Sequence, residues 1–509
     1  MIAVQPSRAP GVLALAFLLL ALTAGFLPVL WMGLAQGAGA ADSYILRVLS
    51  FTLLQAGLST AISMSLGLFL ARALARRQSF PGRGLVIRLL NLPLALPAIV
   101  VIIGLIEVYG TKGWLGGHFS IYGLQGILLA HVFFNLPLAA RLMLLELERI
   151  PPESWKLSAQ LGFSPLAVWR LVEWPQLRGS MPSIALLIFL LCASSFAVVL
   201  TLGGGPGATT LEVAIYQSLR SDFDPQRAVM LAIAQLLLCG SLVLMAQRWG
   251  GLARGLGSAS VTARRFDGRS SISKLTDAGF IVAGLLLLLP PLLAIVFSGI
   301  MALQIDQALA RAAATSLVLG SLSAALAFAL AWPLATLAAR SISWRRWSGL
   351  AVLAAWIVPP AVLATGWFIT LIAHGGSTPL SAVLVIAMNA LMALPFVFHP
   401  LSSAIAQAAG AHDRLCLGLG ISGFTRFRLI DLPALKRPIG LSLVLALILS
   451  LGDLTAIALF GTQDFTTMPA LIYRQMGSYR FDQAIGTALI LGLLVLGLSS
   501  LAERWSRQR

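Results

Sequence analysis

The lysines and cysteines are the first residues to test for chemistry, because they could build a nucleotide site or a metal site. A phosphate-binding P-loop needs Gly-Lys-Ser/Thr, in which backbone amides surround the phosphates beside the lysine. The residues that precede the four lysines are Thr111, Trp155, Ser273 and Leu435. The three cysteines show no CxxC or metal-ligand spacing. The sequence therefore predicts no bound metal or cofactor and no ATP hydrolysis on this chain, so that energy must come from another chain or from an ion gradient.

Two carboxylates and one imidazole lie inside strongly apolar stretches of the chain. They are Glu107, Asp453 and His131. An ionisable group inside a membrane is costly and usually faces a cavity or a partner. Glu107 and Asp453 are therefore candidates for a substrate pathway, against the alternative that each accepts structural hydrogen bonds or sits at the membrane interface. For His131, a hydrogen bond to a neighbouring helix is favoured over substrate binding.

The composition shows which elements must position these residues. Of the 509 residues, 58% are hydrophobic and only 10% are charged, with a mean hydropathy of +0.91. Soluble proteins are about half apolar and a quarter charged, so a water-soluble fold is excluded. Twelve apolar stretches are each long enough to cross a bilayer, which takes roughly 20 residues, and they leave no room for a soluble catalytic domain. The predicted spans are 12–33, 50–71, 85–108, 122–145, 182–203, 228–247, 278–300, 313–338, 348–372, 380–401, 438–460 and 484–502.

The distribution of basic residues orients these spans, because cytoplasmic loops carry an excess of Lys and Arg. With twelve spans, 28 of the 35 Lys and Arg residues lie on the side that holds both termini, and 7 lie on the other side. This bias predicts cytoplasmic termini. It also accounts for most of the net charge of +17. The charge therefore does not indicate a nucleic-acid partner, and the expected surroundings are membrane lipid.

The first span has a second interpretation, because residues 36–41 resemble a small-residue cleavage site. The apolar run before that site is longer than the 7–15 residues that are usual for a signal peptide. The first span also has a counterpart in the seventh. A retained membrane helix is therefore favoured.

The chain repeats itself at a spacing of 258 residues. Gly162 recurs as Gly420, and Val172-Glu-Trp-Pro175 recurs as Ile430-Asp-Leu-Pro433. Each half contains six spans, an even number, so both halves enter the membrane in the same direction and a pseudo-two-fold axis along the membrane normal is predicted. The predicted fold class is an all-α integral membrane protein with about twelve transmembrane helices in two tandem six-helix domains.

The repeat also gives domain boundaries. The first domain is predicted at 46–250, preceded by the helix at 12–33. The second is predicted at 311–503, preceded by the helix at 278–300. Residues 251–277 between them are rich in Arg, Ser and Gly, which is typical of a solvated linker.

A loop on the predicted cytoplasmic side has a specific helix-turn-helix pattern. Pro151-Pro152 suits the first turn of a short helix, and Gly162 suits the left-handed position that ends it. Ser164 and Pro165 then suit the N-cap and first position of a second helix.

The second half repeats this loop. Here Asp413 is predicted to cap a short helix, Gly420 to end it, and Ser422 to cap the next helix. Either copy alone is typical of an ordinary structured loop. Two copies at one spacing, on one side of the membrane, indicate a functional element.

The spacing Gly-x9-aliphatic-x2-Pro in both loops resembles the EAA loop of ABC-importer permeases. In that family the loop forms a coupling helix that docks on a cytoplasmic ATPase, which binds the ATP. The resemblance therefore implies an ABC ATPase partner, in two copies for two loops. The positions that correspond to the family pattern are Lys156, Leu157, Ser158, Gly162, Val172 and Pro175 in the first loop, and Arg414, Leu415, Cys416, Gly420, Ile430 and Pro433 in the second. Lys156 and Arg414 stand where the family has its acidic residue, which puts in doubt any salt bridge that the acid would make.

A closer resemblance, to the permeases of thiamine ABC importers, covers most of the chain. It rests on the strings at 122–137, 172–175, 202–206, 208–210, 214–217, 224–225 and 435–438. This family implies a permease in the bacterial inner membrane that receives thiamine and its phosphates from a periplasmic binding protein. The outer loops near 203–227 and 461–483 are expected to receive that binding protein.

The resemblance sharpens the expectations for the pathway. Because thiamine carries a permanent positive charge, Glu107 and Asp453 are expected to make the pathway attractive to a cation. Proline bends a helix and glycine permits close packing. The repeated interval from Pro97 to Gly104, and from Pro359 to Gly366, therefore predicts broken or kinked helices along the pathway, against the alternative of simple packing kinks.

Three other functions remain open from the sequence. A ferric-iron permease shares the fused arrangement of two six-span halves. An ion-coupled secondary transporter would also have twelve duplicated spans and no ATP site. A membrane enzyme is disfavoured, because no His, Asp and Glu cluster gathers at one membrane face.

Overall fold

The computed structural model describes residues 8–35, 43–116, 120–248, 265–268, 270–373, 378–421, 423–462 and 465–507. Within these ranges every regular element is a helix. The α-helices, α1 to α22 in chain order, are Ala9–Ala35, Ser43–Arg76, Arg83–Ala95, Ala98–Tyr109, Leu124–Glu148, Pro152–Gln160, Pro165–Val168, Trp174–Leu177, Met181–Ala193, Phe196–Leu202, Leu211–Arg220, Pro225–Arg248, Ser271–Met301, Gln307–Arg340, Ile342–Ile357, Pro360–Ala373, Thr378–Gly418, Gly423–Arg426, Leu432–Leu451, Thr455–Phe460, Met468–Gly477 and Phe481–Arg507. The π-helices are Trp169–Glu173 and Phe427–Asp431, and a 3-10 helix covers Pro206–Ala208.

The membrane spans confirm the predicted fold class. In the described part of the chain, nine helices are long and apolar enough to cross a bilayer, and twelve spans result if each of three bent pairs counts as one. The predicted spans at 85–108 and 348–372 coincide with two bent pairs. The third bent pair begins earlier than predicted, because the helix that leads to it starts at Pro165.

Proline explains two of these bends. The chain turns by 111° between Arg83–Ala95 and Ala98–Tyr109, and by 80° between Ser343–Ala355 and Pro360–Leu371. Leu96 and Val358 are extended at the two breaks, and each precedes a proline. The proline ring clashes with a helical residue before it, so the helix ends there. Both Pro97 and Pro359 therefore lie at real breaks, while their part in a pathway stays a prediction.

The first compact unit contains Asp42–Val213 and Leu237–Met301. Its helices α2, α5 and α9 pack together, and α13 packs against α2, α3 and α4. Helix α13 opens the second half of the sequence. It is nevertheless packed among helices of the first half.

The second compact unit contains Met1–Ala41, Ala214–Leu236 and Ala302–Arg509. Its helices α14, α17 and α19 pack together, and α1 packs against α14, α15 and α16. The opening helix of each half of the sequence thus packs with helices of the other half. The domain boundaries drawn from the repeat stay a prediction.

The repeated glycines lie where these opening helices make their closest contacts. A Cβ atom added to Gly104 would lie 2.7 Å from the carbonyl oxygen of Pro291 and 2.8 Å from the Ile295 side chain in α13. In the other unit, a Cβ atom on Gly366 would overlap the backbone of Gly25 in α1. Both glycines therefore permit close helix packing, as expected of glycine, while their part in a pathway stays a prediction.

Candidate functional site

The first repeated loop follows the predicted plan. Helix α6 begins at Pro152 with Glu153 in its first turn, where the helix dipole favours an acid. The chain then turns at Gly162, whose φ of 64° is left-handed. The Ser164 hydroxyl accepts a hydrogen bond of 3.3 Å from the amide of Ala167, so Ser164 is the N-cap of the next helix.

Helix α6 buries one face, and two leucines are exposed on the other, Leu157 within the helix and Leu161 at its C-cap. Trp155 and Ser158 are buried, and the Ser158 hydroxyl donates to the Trp155 carbonyl. Leu157 is 56% exposed and Leu161 is 61% exposed. Residues four apart share one side of a helix, so these leucines form an apolar strip that faces away from the unit.

The second loop departs from its predicted form. No separate short helix exists here, because α17 continues without a break from Thr378 to Gly418. Asp413 lies inside α17 and is not an N-cap, so that prediction was wrong. The physical reason is that the first loop has Pro151 and Pro152 to break the helix, while residues 409–410 are Ala and Gly, which keep their amide donors. The predicted cap Ser422 lies outside the described residues.

The second loop nevertheless repeats the exposed strip. Gly420 has a φ of 67°, as its counterpart in the first loop does. Leu415 is 55% exposed and Leu419 is 64% exposed, while Cys416 is buried. Each exposed leucine lies 258 residues after an exposed leucine of the first loop. The side chain of Arg414 is not among the described side chains.

A π-helix follows the glycine turn in both loops. It covers Trp169–Glu173 in the first loop and Phe427–Asp431 in the second, and it contains the aliphatic residues Val172 and Ile430. Pro175 and Pro433 follow, each in the first turn of the next α-helix. A π-bulge inside an α-helix frequently marks a functional site. The aliphatic residue of the aliphatic-x2-proline spacing thus lies in a π-helix in both loops, a feature that sequence reasoning missed.

The acidic residue that ends the first π-helix is buried between two arginines. Glu173 is fully buried, and its carboxylate lies 2.7 Å from the Arg72 guanidinium and 2.5 Å from that of Arg265. A buried carboxylate needs such partners, because an unpaired charge in the interior is very costly. Sequence reasoning missed Glu173, although an acid recurs at this position in both copies of the repeat.

The corresponding acid of the second loop joins a different set of charges. Asp431 lies 3.4 Å from Arg426, which also pairs with Asp413. Asp413 in turn lies 3.8 Å from Arg340 at the end of α14. Burial opposes the charge of Arg426, but the hydrogen bond and charge of Asp413 and the charge of Asp431 outweigh it and raise the pKa of Arg426.

The candidate pathway carboxylates have different surroundings. Glu107 lies half-buried near the end of α4. The Asp453 carboxylate accepts hydrogen bonds from the amides of Thr455 at 3.2 Å and Ala456 at 2.9 Å, so it caps the short helix α20. A third carboxylate, Glu212, is buried in the first turn of α11 and was missed because that segment was taken as a loop.

The remaining ionisable candidate is bonded between helices. The Nδ1 atom of His131 lies 3.1 Å from the Ser59 hydroxyl, and both residues are buried. This contact is the helix-to-helix hydrogen bond favoured for His131. Among the described residues, no group of three or more His, Cys, Asp and Glu side chains could hold a metal ion.

Comparison with known proteins gives the same family over nearly the whole chain. Residues 328–507 match the family model described as binding-protein-dependent transport system inner membrane component. The thiamine transport system permease protein ThiP of Brucella abortus (strain 2308) is 43% identical over 99% of this chain and 97% of its own length. The protein of the same name from Escherichia coli (strain K12) is 42% identical over 97% of this chain and 96% of its own length. That from Haemophilus influenzae is 38% identical over 96% and 94%.

Proposed function

The chain belongs to the family of the thiamine transport system permease proteins, and from this membership we propose that it is the membrane subunit of an ATP-driven importer of thiamine. The observation that carries the proposal is an identity of 38 to 43% that extends over at least 96% of the chain. The chain is a multi-pass inner-membrane permease. Transport of thiamine phosphates by the same route is part of the proposal.

The two repeated loops are proposed to couple the permease to the ATPase. Leu157 and Leu161 in the first loop, and Leu415 and Leu419 in the second, expose apolar side chains that a partner surface would cover. Each loop offers one such strip, so two ATPase subunits are proposed, one for each loop. ATP binding and hydrolysis are assigned to these partners. In the sequence, Lys156 and Ser158 flank Leu157, and Arg414 and Cys416 flank Leu415.

The opposite side of the membrane is proposed to receive the binding protein. The basic-residue bias supports cytoplasmic termini, and in that orientation the loops near 203–227 and 461–483 would face the periplasm. A ligand shifts a conformational equilibrium only by binding one state better than the other. ATP would bring the two ATPase subunits together, and this closed pair would bind the coupling loops of one permease conformation better than those of the other.

Glu107 and Asp453 are proposed to favour a cation along the pathway. Glu107 is the stronger candidate, because both carboxylate oxygens of Asp453 already accept backbone hydrogen bonds. Breaks at Pro97 and Pro359 support helices that bend within the membrane. Gly104 and Gly366 would contribute by holding the bent helices against their neighbours.

Uptake of labelled thiamine tests the proposal. The chain, an ABC ATPase and the binding protein encoded with it are placed together in proteoliposomes with the ATP on the ATPase side. The expected result is accumulation of thiamine that needs ATP and the binding protein and resists a protonophore. Accumulation of ferric iron in place of thiamine would indicate a ferric-iron permease. Uptake without the ATPase, driven by an ion gradient, would indicate a secondary transporter.

A further inference from the structure

The first coupling loop is held by a residue from the segment that joins the two halves of the sequence. The Arg265 side chain is 2% exposed. Its guanidinium lies over the indole of Trp155 in α6, 4.1 Å from the ring centroid. The same group lies 2.5 Å from Glu173 and 2.7 Å from Asp267. One side chain thus contacts both the coupling helix and the π-helix that follows it.

The joining segment is itself fixed to the end of α2. Asp267 lies 3.1 Å from Arg76. Asp277, in the first turns of α13, lies 3.3 Å from Arg76 and 2.9 Å from Arg77. Alternating charges therefore run from α2 through this segment to Glu173 in the π-helix, and the contact of Arg265 with Trp155 links this series to α6, within one compact unit.

The charged groups in this series of ion pairs stabilise one another's ionised forms. Burial opposes the charge of Arg265, but the hydrogen bond to Asp267 and the charges of Glu173 and Asp267 outweigh it and raise the pKa of Arg265. Burial likewise opposes ionisation of Asp267, but Arg265 and Arg76 outweigh it and lower the pKa of Asp267. Removing one partner of such a set leaves the others buried and uncompensated.

In the described part of the chain, the ion pairs of the second coupling loop come from its own half of the sequence. The position 258 residues after Trp155 is Asp413, and its carboxylate pairs with Arg426 and Arg340 from the same half of the sequence. The two loops present matching leucines but are supported in different ways. Only the first relies on residues 265–267 in the described part of the chain.

We propose that Arg265 is a positioning residue for ATP coupling, which holds α6 at the angle that its ATPase partner recognises. Residues 265–277 then belong to the coupling machinery and are more than a tether between the halves. The inference rests on the proposed function in one respect, namely that α6 docks on an ATPase. Arginine suits the role because it stacks flat on an indole and binds carboxylates through several N–H groups at once, while lysine offers one ammonium group.

Hydrogen exchange of the full chain in detergent tests the positioning without any transport. In Arg265→Ala, the backbone amides of α6 (Pro152–Gln160) are expected to exchange at least about tenfold faster. The reason is that a helix opens locally more often when its buried contacts are lost. Exchange at 411–421 in the second loop is expected to stay unchanged, and Arg265→Lys is expected to lie between wild type and alanine. The matched control is Lys274→Ala, an exposed cation in the same segment.

ATP-dependent uptake tests the consequence. Arg265→Ala is expected to lower thiamine uptake about tenfold per ATP hydrolysed, and replacement of 265–268 by Gly-Ser-Gly-Ser is expected to do the same at constant linker length. Partial recovery in Arg265→Lys would support positioning over a general loss of fold. If Arg265→Ala fails to insert, Arg265→Lys and Asp267→Asn decide through the same exchange measurement.

Two results would overturn the proposal, and both differ from failure of the proposed function. Unchanged exchange at Pro152–Gln160 in Arg265→Ala would show that Arg265 does not hold α6. Full uptake by the Gly-Ser replacement would show that the segment is only a tether. If wild-type protein imports no thiamine, the proposed function fails, while the exchange measurement still decides the position of α6.

Discussion

Gly104 in α4 lies against the backbone carbonyl of Pro291 in α13, with no space between them for a methyl group. We expect Gly104→Ala to destabilise the protein by about 1–3 kcal/mol, the usual cost of inserting a methyl group into a packed core. Thermal unfolding in detergent measures this effect.

The matched control for this change is Gly57→Ala in α2, where an added Cβ would meet nothing within 4 Å. This control should be stabilised by up to about 1 kcal/mol, since alanine is the better helix former. Equal melting temperatures for the two variants would contradict the close packing of α4 on α13.

The glycine turn of the first coupling loop predicts a coupling defect without a folding defect. Gly162 has a left-handed φ and open space around it, so Gly162→Val strains only the backbone, by roughly 1–2 kcal/mol. We expect the variant to insert and to bind its ATPase, with hydrolysis that no longer drives uptake.

Asparagine tolerates the left-handed region, so Gly162→Asn is the control for that strain and should retain uptake. Gly420→Val and Gly420→Asn repeat the test in the second loop. Retained coupling in both valine variants would count against the assignment of the loops.

The exposed leucines predict a loss of partner binding. Leu157→Asp and Leu415→Asp place a charge on surfaces that lie open in the isolated chain, so the fold should be kept. Each variant is expected to reduce co-purification of the ATPase, and the double variant to abolish it. Gln160→Asp, also exposed on α6, is the control for the added charge. Undiminished ATPase capture by the double variant would place the docking surface elsewhere.

The two pathway carboxylates should respond differently to amide replacement. Glu107→Gln is expected to raise the KM for thiamine several-fold, because it removes the half-buried carboxylate that is proposed to attract the cation. Asp453→Asn is expected to cost at most about 1 kcal/mol of stability, since asparagine is also a good helix cap. Kinetics of uptake and thermal unfolding separate the two effects. Unchanged uptake in the double variant would contradict a role of either residue in the pathway.

Local chemistry made the first coupling loop predictable. Pro152, Gly162 and Ser164 act through their own backbone geometry and hydrogen bonds, and each does what the sequence predicts. The second loop was mispredicted where the structure of the first loop was carried over to residues that do not support it. Asp413 was given a capping role by its position in the repeat, although no proline there ends the preceding helix.

Long-range relationships were beyond the reach of sequence patterns. Nothing near Arg265 indicates that its side chain lies over Trp155, which is 110 positions away along the chain. The packing of α1, and separately that of α13, likewise depends on shape matching with segments that are distant in sequence, such as Gly25 in α1 with Gly366 in α16. The repeat predicts how many helices exist, but only tertiary contacts decide which helices pack together.

The packing of α1 also sets an order of events during synthesis. This helix is synthesised before its neighbours α14, α15 and α16, which begin about 300 to 350 residues later, a delay of about 15–70 s at ordinary translation rates. Lipid is as apolar as the helix surface, so α1 can wait in the bilayer without a strong drive to pair wrongly. A nascent chain stopped after its first six spans would therefore hold α1 without α14, α15 and α16, open to membrane proteases or chaperones until those helices are made.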